Sequence, residues 1–260
     1  MPEYERNGAR LFYRTTGEGS PVLMVHSATS SGDHEWGSLV GVLADSCRCV
    51  VPDLRSHANS DHIAGDLGIG EVVDDLRALI VLADLGRPHV VGFSFGAEVA
   101  LELEVQYPGS AASLVLVSPA TGHSEGVPQS QKMAPRWPSS LRELHIPKHG
   151  PDHWRTILDD LSEDAAGRAH IGDKVLADLG CPMLLVSGTE DQPKRVREAR
   201  RLAELNPRAR LVSVEGAGHA AHAQDSRKFA AMVLDFLESA EAMTGTAPGD
   251  RLPYREEGPL

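Results

Sequence analysis

The most constraining feature of the sequence is a repeated alternation between short apolar runs and longer amphipathic stretches. Each run is continuous and rich in β-branched residues, which is typical of a strand buried on both faces of a parallel sheet. Strands that alternate with helices require crossover connections, so the sequence predicts an α/β fold with a mostly parallel central sheet flanked by helices. The predicted strands are Val22–Val25, Cys49–Val51, His89–Val91, Leu114–Val117, Met183–Val186 and Leu211–Val214.

Helical periodicity is clearest between the second and third predicted strands. There the apolar residues recur on one face of a helix over positions 72–83, and Gly86 and Pro88 end the pattern. A second helix is predicted around Ala97–Val105 and a third around Phe229–Leu237. Residues 4–16 are a weaker candidate for an antiparallel hairpin at one edge of the sheet.

One long segment, residues 121–178, contains no convincing buried strand. Trp154, Ile157, Leu158 and Leu161 in it are spaced as one face of a helix. A structureless loop of this length is unusual in a compact domain. We therefore expect a small helical cap over the carboxyl ends of the strands, the alternative being a surface excursion with no role. The predicted division is a core of residues 1–120 and 179–243, a cap of 121–178, and a loosely ordered tail of 244–260.

The overall charge of the 260-residue chain narrows the range of partners. The sequence has 25 Lys and Arg against 37 Asp and Glu, a net charge of -12. Such a surface repels polyanions, so we expect no nucleic-acid partner. The first 20 residues are too polar for a signal peptide, and no apolar run is long enough to span a membrane. We expect a cytoplasmic location and no membrane association; the oligomeric state stays open.

The strongest local motif is Gly92-Phe93-Ser94-Phe95-Gly96, which lies between a predicted strand and a predicted helix. This strand–turn–helix context is what a G-x-S-x-G nucleophile elbow requires, whereas the bare pattern is weak. Glycines at both flanks permit a turn too sharp for side chains, and the turn presents Ser94 above the sheet. We therefore predict that Ser94 is a catalytic nucleophile.

A serine hydroxyl is a poor nucleophile at neutral pH and needs a neighbouring base. His219 follows the last predicted strand at the end of a loop of small residues, Gly216–Gly218, which would let the imidazole turn inward. We predict His219 as the base; His222 is the competing candidate, and a solvated loop histidine is the alternative.

A third group must hold the base in the correct tautomer. Asp191 lies at the carboxyl end of the strand Met183–Val186, where open α/β sheets place their sites. Glu190 is the competing carboxylate, and the preceding strand end, Ser118–Ala120, offers no acid. The order Ser94, Asp191, His219 is also the chain order of α/β hydrolases.

These motifs together resemble the α/β-hydrolase superfamily, in particular its small capped bacterial serine esterases and lactonases, over about residues 10–240. The resemblance also includes Val25-His26-Ser27, Pro52-Asp53-Leu54-Arg55, Gly188-Thr189-Glu190-Asp191 and Gly218-His219 with Phe229 after it. It implies an oxyanion hole made by the backbone N–H groups of Ala28 and Phe95.

The chain departs from the family pattern in two loops. Ser27 replaces the usual glycine after His26, which predicts an altered oxyanion loop. The Asp-x-Arg-Gly-x-Gly-x-Ser pattern is present as Asp53–Ser60 with both glycines lost, which puts the standard backbone turn in question. The hydroxyl-rich run after His26 is either a polar substrate contact or a solvated loop.

Candidate substrate-binding residues come from the oxyanion loop and from the predicted cap. Aromatic and Met side chains suit an apolar or ring-bearing substrate, although packing within the cap explains them equally well. These candidates are His26, Ser27, Met133, Trp137, His153 and Trp154, with His149 beside them.

Metal and cofactor chemistry are not predicted. His145, His149 and His153 have the spacing of one helix face, but Pro147 and the pair Gly150-Pro151 interrupt that helix. No phosphate-binding loop or dinucleotide fingerprint is present in the sequence. The three cysteines are an odd number and fit buried thiols better than a disulfide framework.

The sequence therefore favours a cofactor-independent serine hydrolase that cleaves a carboxylic ester or lactone through an acyl-Ser94 intermediate. Two alternatives stay open, because a fold does not fix a function. One is a non-hydrolytic catalyst on the same scaffold, such as an acyltransferase, lyase or cofactor-free oxygenase. The other is a non-enzymatic ligand receptor.

Overall fold

The computed structural model describes residues 2–65, 67–121 and 138–244. Its centre is one eight-stranded sheet in the order β1-β2-β4-β3-β5-β6-β7-β8. Strands β1 and β2 pair antiparallel with their neighbours, and β3 to β8 are parallel. The strands are β1 Glu3–Arg6, β2 Ala9–Thr16, β3 Ser20–Val25, β4 Cys47–Pro52, β5 His89–Phe93, β6 Ser113–Val117, β7 Met183–Gly188 and β8 Ala209–Val214.

Helices cover both faces of this sheet. In the described part of the chain they are α1 Gly32–Leu43, α2 Ile69–Leu82, α3 Phe95–Gln106, α4 Ser139–Glu143, α5 Ile146–His149, α6 His153–Gly167, α7 Asp173–Asp178, α8 Pro193–Leu205, α9 Ala221–Gln224 and α10 Ser226–Thr244. All six predicted strands, the edge hairpin and the three predicted helices are present, but β8, predicted as a buried strand, lies at the edge of the sheet and is only partly buried. The predicted α/β-hydrolase fold is confirmed.

The two faces of the sheet build two separate apolar layers. Along β3, Leu23 packs into the layer formed with α2 and α3, while Val22 and Met24 point to the other face. There they meet Trp36 of α1 and Phe229 of α10. A strand with both faces covered needs apolar residues at every position, which explains why the predicted strands are continuous runs.

Two of the longer helices of the core, α1 and α8, were not predicted from the sequence, and neither was the short α9. Helix α8 buries only Ala199 and Leu202. Helix α1 includes Gly37 and Gly41, two residues that disfavour a helix interior. Trp36, Leu39 and Leu43 nevertheless form one buried face of α1, and packing on the sheet stabilises both helices.

Within residues 138–178 the structure contains short helices, α4 to α7, and no strand. Ile157 and Leu161 of α6 join the apolar layer of α2 and α3. Trp154 and Leu158 form a small separate cluster against Leu141. Residues 122–137, which include Met133 and Trp137, and residues 245–260 of the predicted tail lie outside the described residues.

Across the described ranges, no helix combines the length and apolar character that crossing a membrane would require. The three cysteines, Cys47, Cys49 and Cys181, are free thiols and all are buried.

Candidate active site

Ser94 lies at a sharp turn between β5 and α3, as the elbow motif predicts. Its backbone has φ 54° and ψ -113°, a conformation that costs a non-glycine residue about 1–3 kcal/mol. The turn is held by the Ser94 N–H, which donates to the Val117 carbonyl of β6 at 2.9 Å. The strained turn places the hydroxyl at the carboxyl edge of the sheet.

The flanking glycines are required by close backbone contacts. A Cβ atom on Gly92 would lie 2.3 Å from the Gly96 carbonyl oxygen, and one on Gly96 would lie 2.2 Å from the Val25 oxygen. No side chain fits at either position without moving the backbone. The G-x-S-x-G spacing therefore follows from how tightly α3 packs against β5 and β3.

His219 joins Ser94 to Asp191 through two hydrogen bonds. Its Nε2 atom lies 3.0 Å from Ser94 Oγ, and its Nδ1 atom lies 2.9 Å from Asp191 Oδ1. Since an ionised carboxylate can only accept, Nδ1 donates its proton and Nε2 is left as the acceptor for the serine hydroxyl. Such an arrangement can take a proton from a serine as it attacks an electrophile.

Asp191 has a fully buried side chain held by further donors. The Gln192 N–H donates to Oδ1 at 2.7 Å, and Ser118 Oγ lies 2.5 Å from Oδ2. Ser118, with φ 50°, directly follows β6. Sequence reasoning had noted only that this strand end lacks an acid and missed that its serine supports the acid of the next strand.

The pKa of His219 is lowered from its ordinary value. Burial of the imidazole lowers it first, the positive charge of Arg195 lowers it further, and the Asp191 carboxylate opposes both. Arg195 is fixed by its donation to the Ser118 carbonyl at 2.6 Å and to Glu98 Oε1 at 3.1 Å. His219 is therefore neutral at pH 7, as a proton acceptor must be.

The competing candidates for the acid and the base, Glu190 and His222, lie outside the line of Ser94, His219 and Asp191. Glu190 is exposed, and its backbone N–H donates to the Ala217 carbonyl. His222 is buried, and its Nε2 atom lies 3.2 Å from Glu35 Oε1. Within the described residues, the structure brings neither side chain into the Ser94–His219–Asp191 line.

The residues predicted to form the oxyanion hole, Ala28 and Phe95, both line the cavity above Ser94. Phe95 is the first residue of α3, where exposed N–H groups and the helix dipole favour negative charge. The Ala28 carbonyl lies 3.0 Å from His57 Nε2, which fixes the orientation of the loop. Ser27, also in the cavity wall, is bound through its hydroxyl to Glu35 Oε2 at 2.6 Å.

The cavity has a volume of about 530 Å³ and joins an apolar wall to a charged one. Leu158 and Leu161 of α6, with Phe93 and Ala120 of the core, supply apolar surface. The charged side chains in the lining are Glu35, Glu98, Arg168, Lys194 and Arg195. Such a mixture suits a small or medium-sized organic molecule with one or more polar groups.

Three predicted substrate contacts need correction, the first of which is His26. This side chain is fully buried, accepts the Leu54 N–H on Nε2 at 2.9 Å, and donates from Nδ1 to the Ser27 carbonyl at 2.7 Å. Burial lowers the pKa of His26 to about 3. His26 therefore supports the oxyanion loop from the interior of the protein.

The other two corrections concern α6. His153 donates from Nε2 to the Ser56 carbonyl at 2.8 Å, and Trp154 is buried beneath the guanidinium groups of Arg142 and Arg155. Among the described residues, the cavity lining includes neither of them. The helical periodicity identified a buried face correctly, but it could not tell which turn reaches the cavity.

The loop that lost both family glycines keeps left-handed backbone at those two positions. Ser56 has φ 68° and Ala58 has φ 42°. The Ser56 hydroxyl contacts His62 Nδ1 at 2.7 Å, and the Ala58 N–H donates to His145 Nδ1 at 3.1 Å. Both positions thus have left-handed backbone without glycine, and hydrogen bonds to His62 and His145 hold the loop there.

The histidines of α5 and α6 form a ring-stacking cluster. His149 stacks on His153 with centroids 4.2 Å apart, and His153 lies against His62 with centroids 4.9 Å apart. In the described part of the chain, no three His, Cys, Asp or Glu side chains converge as a metal site would require.

Comparison with known proteins identifies the family of the chain. The profile of the Alpha/beta hydrolase family matches residues 22–232. The 2-hydroxymuconate semialdehyde hydrolase of Pseudomonas sp. (strain CF600) is 25% identical over 266 residues, covering 90% of this chain and 93% of that protein.

Among solved structures, a meta-cleavage product hydrolase from Pseudomonas fluorescens superposes with a TM-score of 0.78 at 20% identity, covering 92% of this chain and 98% of that one. Est816, described as an N-acyl homoserine lactone degrading enzyme, superposes with a TM-score of 0.75 at 24% identity, covering 90% of this chain and all (100%) of that one. These two likenesses show the fold. With the family profile spanning most of its length, the chain belongs to the alpha/beta hydrolase family.

Proposed function

We propose that this protein is a cofactor-independent serine hydrolase that cleaves a carboxylic ester or lactone through an acyl-enzyme on Ser94. The observation that carries the proposal is the continuous line from Ser94 Oγ through His219 to the buried Asp191, at the floor of a cavity. Serine, neutral imidazole and buried carboxylate in this order form the arrangement that activates a hydroxyl for acyl transfer.

In the acylation step, Ser94 Oγ attacks the carbonyl carbon of the substrate and its proton moves to His219 Nε2. Asp191 stabilises the imidazolium that forms. The substrate oxygen becomes an oxyanion, which the backbone N–H groups of Ala28 and Phe95 receive. By analogy with removal of one such donor elsewhere, each contributes roughly 3 kcal/mol of barrier lowering.

The tetrahedral intermediate collapses when the bond between carbon and the alcohol oxygen breaks. His219 returns its proton to that oxygen, so the alcohol leaves; in a lactone it stays tethered to the acyl group. A water molecule then attacks the acyl-Ser94 ester while His219 accepts its proton. The bond between the acyl carbon and Ser94 Oγ then breaks, His219 returns the proton to Oγ, and the carboxylic acid leaves; no external cofactor takes part.

The cavity supports a small to medium-sized, partly apolar substrate. Its volume of about 530 Å³ is in the range of small-molecule sites. We propose that residues 121–178 act as a cap whose helix α6 selects the substrate through Leu158 and Leu161. Relatives named for a muconate semialdehyde and for an acyl homoserine lactone are consistent with substrates of this size.

An ester and lactone panel tests this proposal. The purified protein should release one equivalent of acid for each ester bond lost, with the same rate in the presence of a chelator. If an added alcohol acceptor takes up the whole acyl group and no acid forms, the protein is an acyltransferase. Binding without turnover across the panel would favour the receptor alternative.

A further inference from the structure

A second charged group, the Glu35 carboxylate, lies in the wall of the cavity beside the oxyanion loop. Glu35 is in the first turn of α1, and its side chain is 11% exposed. It lines the same cavity as Ser94 and His219. The acid hydrogen-bonded to His219 is Asp191, and the charge of Glu35 reaches His219 only at a distance, where it raises the pKa of the imidazole.

Three donors hold this carboxylate. Ser27 Oγ donates to Oε2 at 2.6 Å, the Ser27 N–H approaches the same oxygen at 3.4 Å, and His222 Nε2 donates to Oε1 at 3.2 Å. The last bond leaves His222 Nδ1 buried and without a partner among the described residues. His222 is enclosed by the rings of Trp36, Phe93 and Phe229, which fixes its orientation.

These bonds keep Glu35 ionised. Burial raises the pKa of Glu35, but the hydrogen bonds from His222 and Ser27 outweigh it, and the pKa ends below its ordinary value. A carboxylate offers about four acceptor sites, of which the described residues use three. Oε1, with His222 alone, keeps capacity for one more donor.

A buried negative charge at this place has a chemical disadvantage. It lies next to the loop that receives the oxyanion, and a like charge there opposes the charge that develops during acylation. An apolar residue would pack in the wall without that penalty. The charge is therefore explained better by something it binds than by packing.

We infer that Glu35 recognises a hydrogen-bond donor on the substrate, a hydroxyl or a protonated amine. The inference rests on the proposed hydrolase function and narrows its substrate class to esters or lactones that carry such a donor. Ser27 and His222 then act as positioning residues that hold the carboxylate ionised and aimed into the cavity. Ser27, which replaces the family's glycine, supplies the hydroxyl that donates to Glu35, and a glycine could not make this bond.

Matched substrate pairs test the inference on the purified wild-type protein. On the alcohol side the pair is hydroxyethyl butanoate and propyl butanoate, with dimethylaminoethyl butanoate as the cationic arm. On the acyl side it is propyl 3-hydroxybutanoate and propyl 3-methylbutanoate. We expect one donor-bearing substrate to exceed its partner in kcat/KM by about tenfold or more. The pair in which the donor raises kcat/KM shows whether the recognised group is a hydroxyl or an amine, and whether it belongs to the acyl or the alcohol part of the substrate.

Glu35→Gln removes the charge at nearly constant shape. The preference for the donor-bearing substrate, measured as the ratio of kcat/KM within a pair, should fall about tenfold, whereas the effect of the lost charge on the oxyanion loop should be the same for both members. Ser27→Ala deletes a bond that positions the carboxylate but keeps the charge, so the preference should fall by less than in Glu35→Gln. If Glu35→Gln does not fold, Glu35→Asp tests the same contact by withdrawing the carboxylate by one methylene group, and the preference should again fall.

Two results would overturn the inference. One is a wild-type protein that hydrolyses the panel with no preference for any donor. The other is an equal loss on both members of every pair in Glu35→Gln, reproduced by Ser27→Ala, which would make Glu35 only a support for the oxyanion loop. If the wild type hydrolyses nothing in the panel, the proposed hydrolase function fails and the inference fails with it.

Discussion

Ser118 Oγ lies 2.5 Å from Asp191 Oδ2, so the serine that directly follows β6 supports the carboxylate that follows β7. The hydroxyl also lies 2.8 Å from the His219 carbonyl. One side chain thus contacts two members of the proposed triad from the strand end between Ser94 and Asp191. The strand order of the sheet, with β6 between β5 and β7, is what allows it.

Ser118→Ala should lower kcat about tenfold or somewhat more, because a hydrogen bond to a buried charge contributes roughly 1.5–3 kcal/mol. The measurement is kcat on the best ester of the panel, with the unfolding midpoint recorded alongside. Ser187→Ala is the matched control, since Ser187 is another buried serine at a strand end whose hydroxyl faces the Gly188 carbonyl. Equal kcat values for Ser118→Ala and wild type would show that the contact does not matter for turnover.

The two neighbouring carboxylates at the end of β7 should differ sharply. Asp191→Asn reverses the hydrogen-bonding requirement at His219 Nδ1 and should lower kcat by a factor of about 10⁴, the scale known for a triad of this type. Glu190→Gln changes an exposed side chain and should stay within about twofold. Steady-state kinetics of both variants decide the assignment, and the opposite ranking would transfer the acid role to Glu190.

The pH dependence of kcat/KM should change when the positive charge of Arg195 is removed. A neutral His219 is required, and its pKa is lowered from 6.5, so kcat/KM should fall only as the pH drops below that value. Arg195→Gln removes a cation that lowers this pKa, so the acid limb should move to higher pH by about half a unit. Arg197→Gln, on the exposed side of the same helix, should leave the limb unchanged. A shift to lower pH in Arg195→Gln would contradict this electrostatic account.

Substrate size should be controlled by α6. Ala165 lines the cavity, so Ala165→Leu fills part of it and should reduce kcat/KM for long acyl esters relative to acetate by about 10–200-fold. Ala166→Leu places the same side chain one residue further on the exposed side of the helix and serves as the control. An unchanged preference for acyl-chain length in Ala165→Leu would show that α6 does not determine substrate specificity.

The fold was predictable because both faces of the sheet are covered. Val22, Leu23 and Met24 have to be apolar at successive positions, and such runs are visible in any one sequence. Helix α8 was not predictable in this way, since it buries only Ala199 and Leu202 and most of its other residues are charged. Its position comes from the connection between β7 and β8.

The candidate site was predictable where backbone geometry dictates residue type. Gly92 and Gly96 have no space for a side chain, and this leaves a readable pattern around Ser94. Ser118 and Glu35 leave no such pattern, because their roles depend on partners more than 70 and 180 residues away in the chain, Asp191 and His222 respectively. Contacts of this kind are set by tertiary structure alone.

The measurement that tests the central claim most directly is intact-mass analysis after reaction with a serine-directed phosphonate, with peptide mapping of the adduct. The account predicts one adduct per chain, located on Ser94, and complete loss of ester turnover. Ser94→Ala should form no adduct and should retain the wild-type unfolding midpoint. An adduct on another residue, or a Ser94→Ala variant that keeps more than about a tenth of wild-type kcat, would contradict nucleophilic catalysis by Ser94.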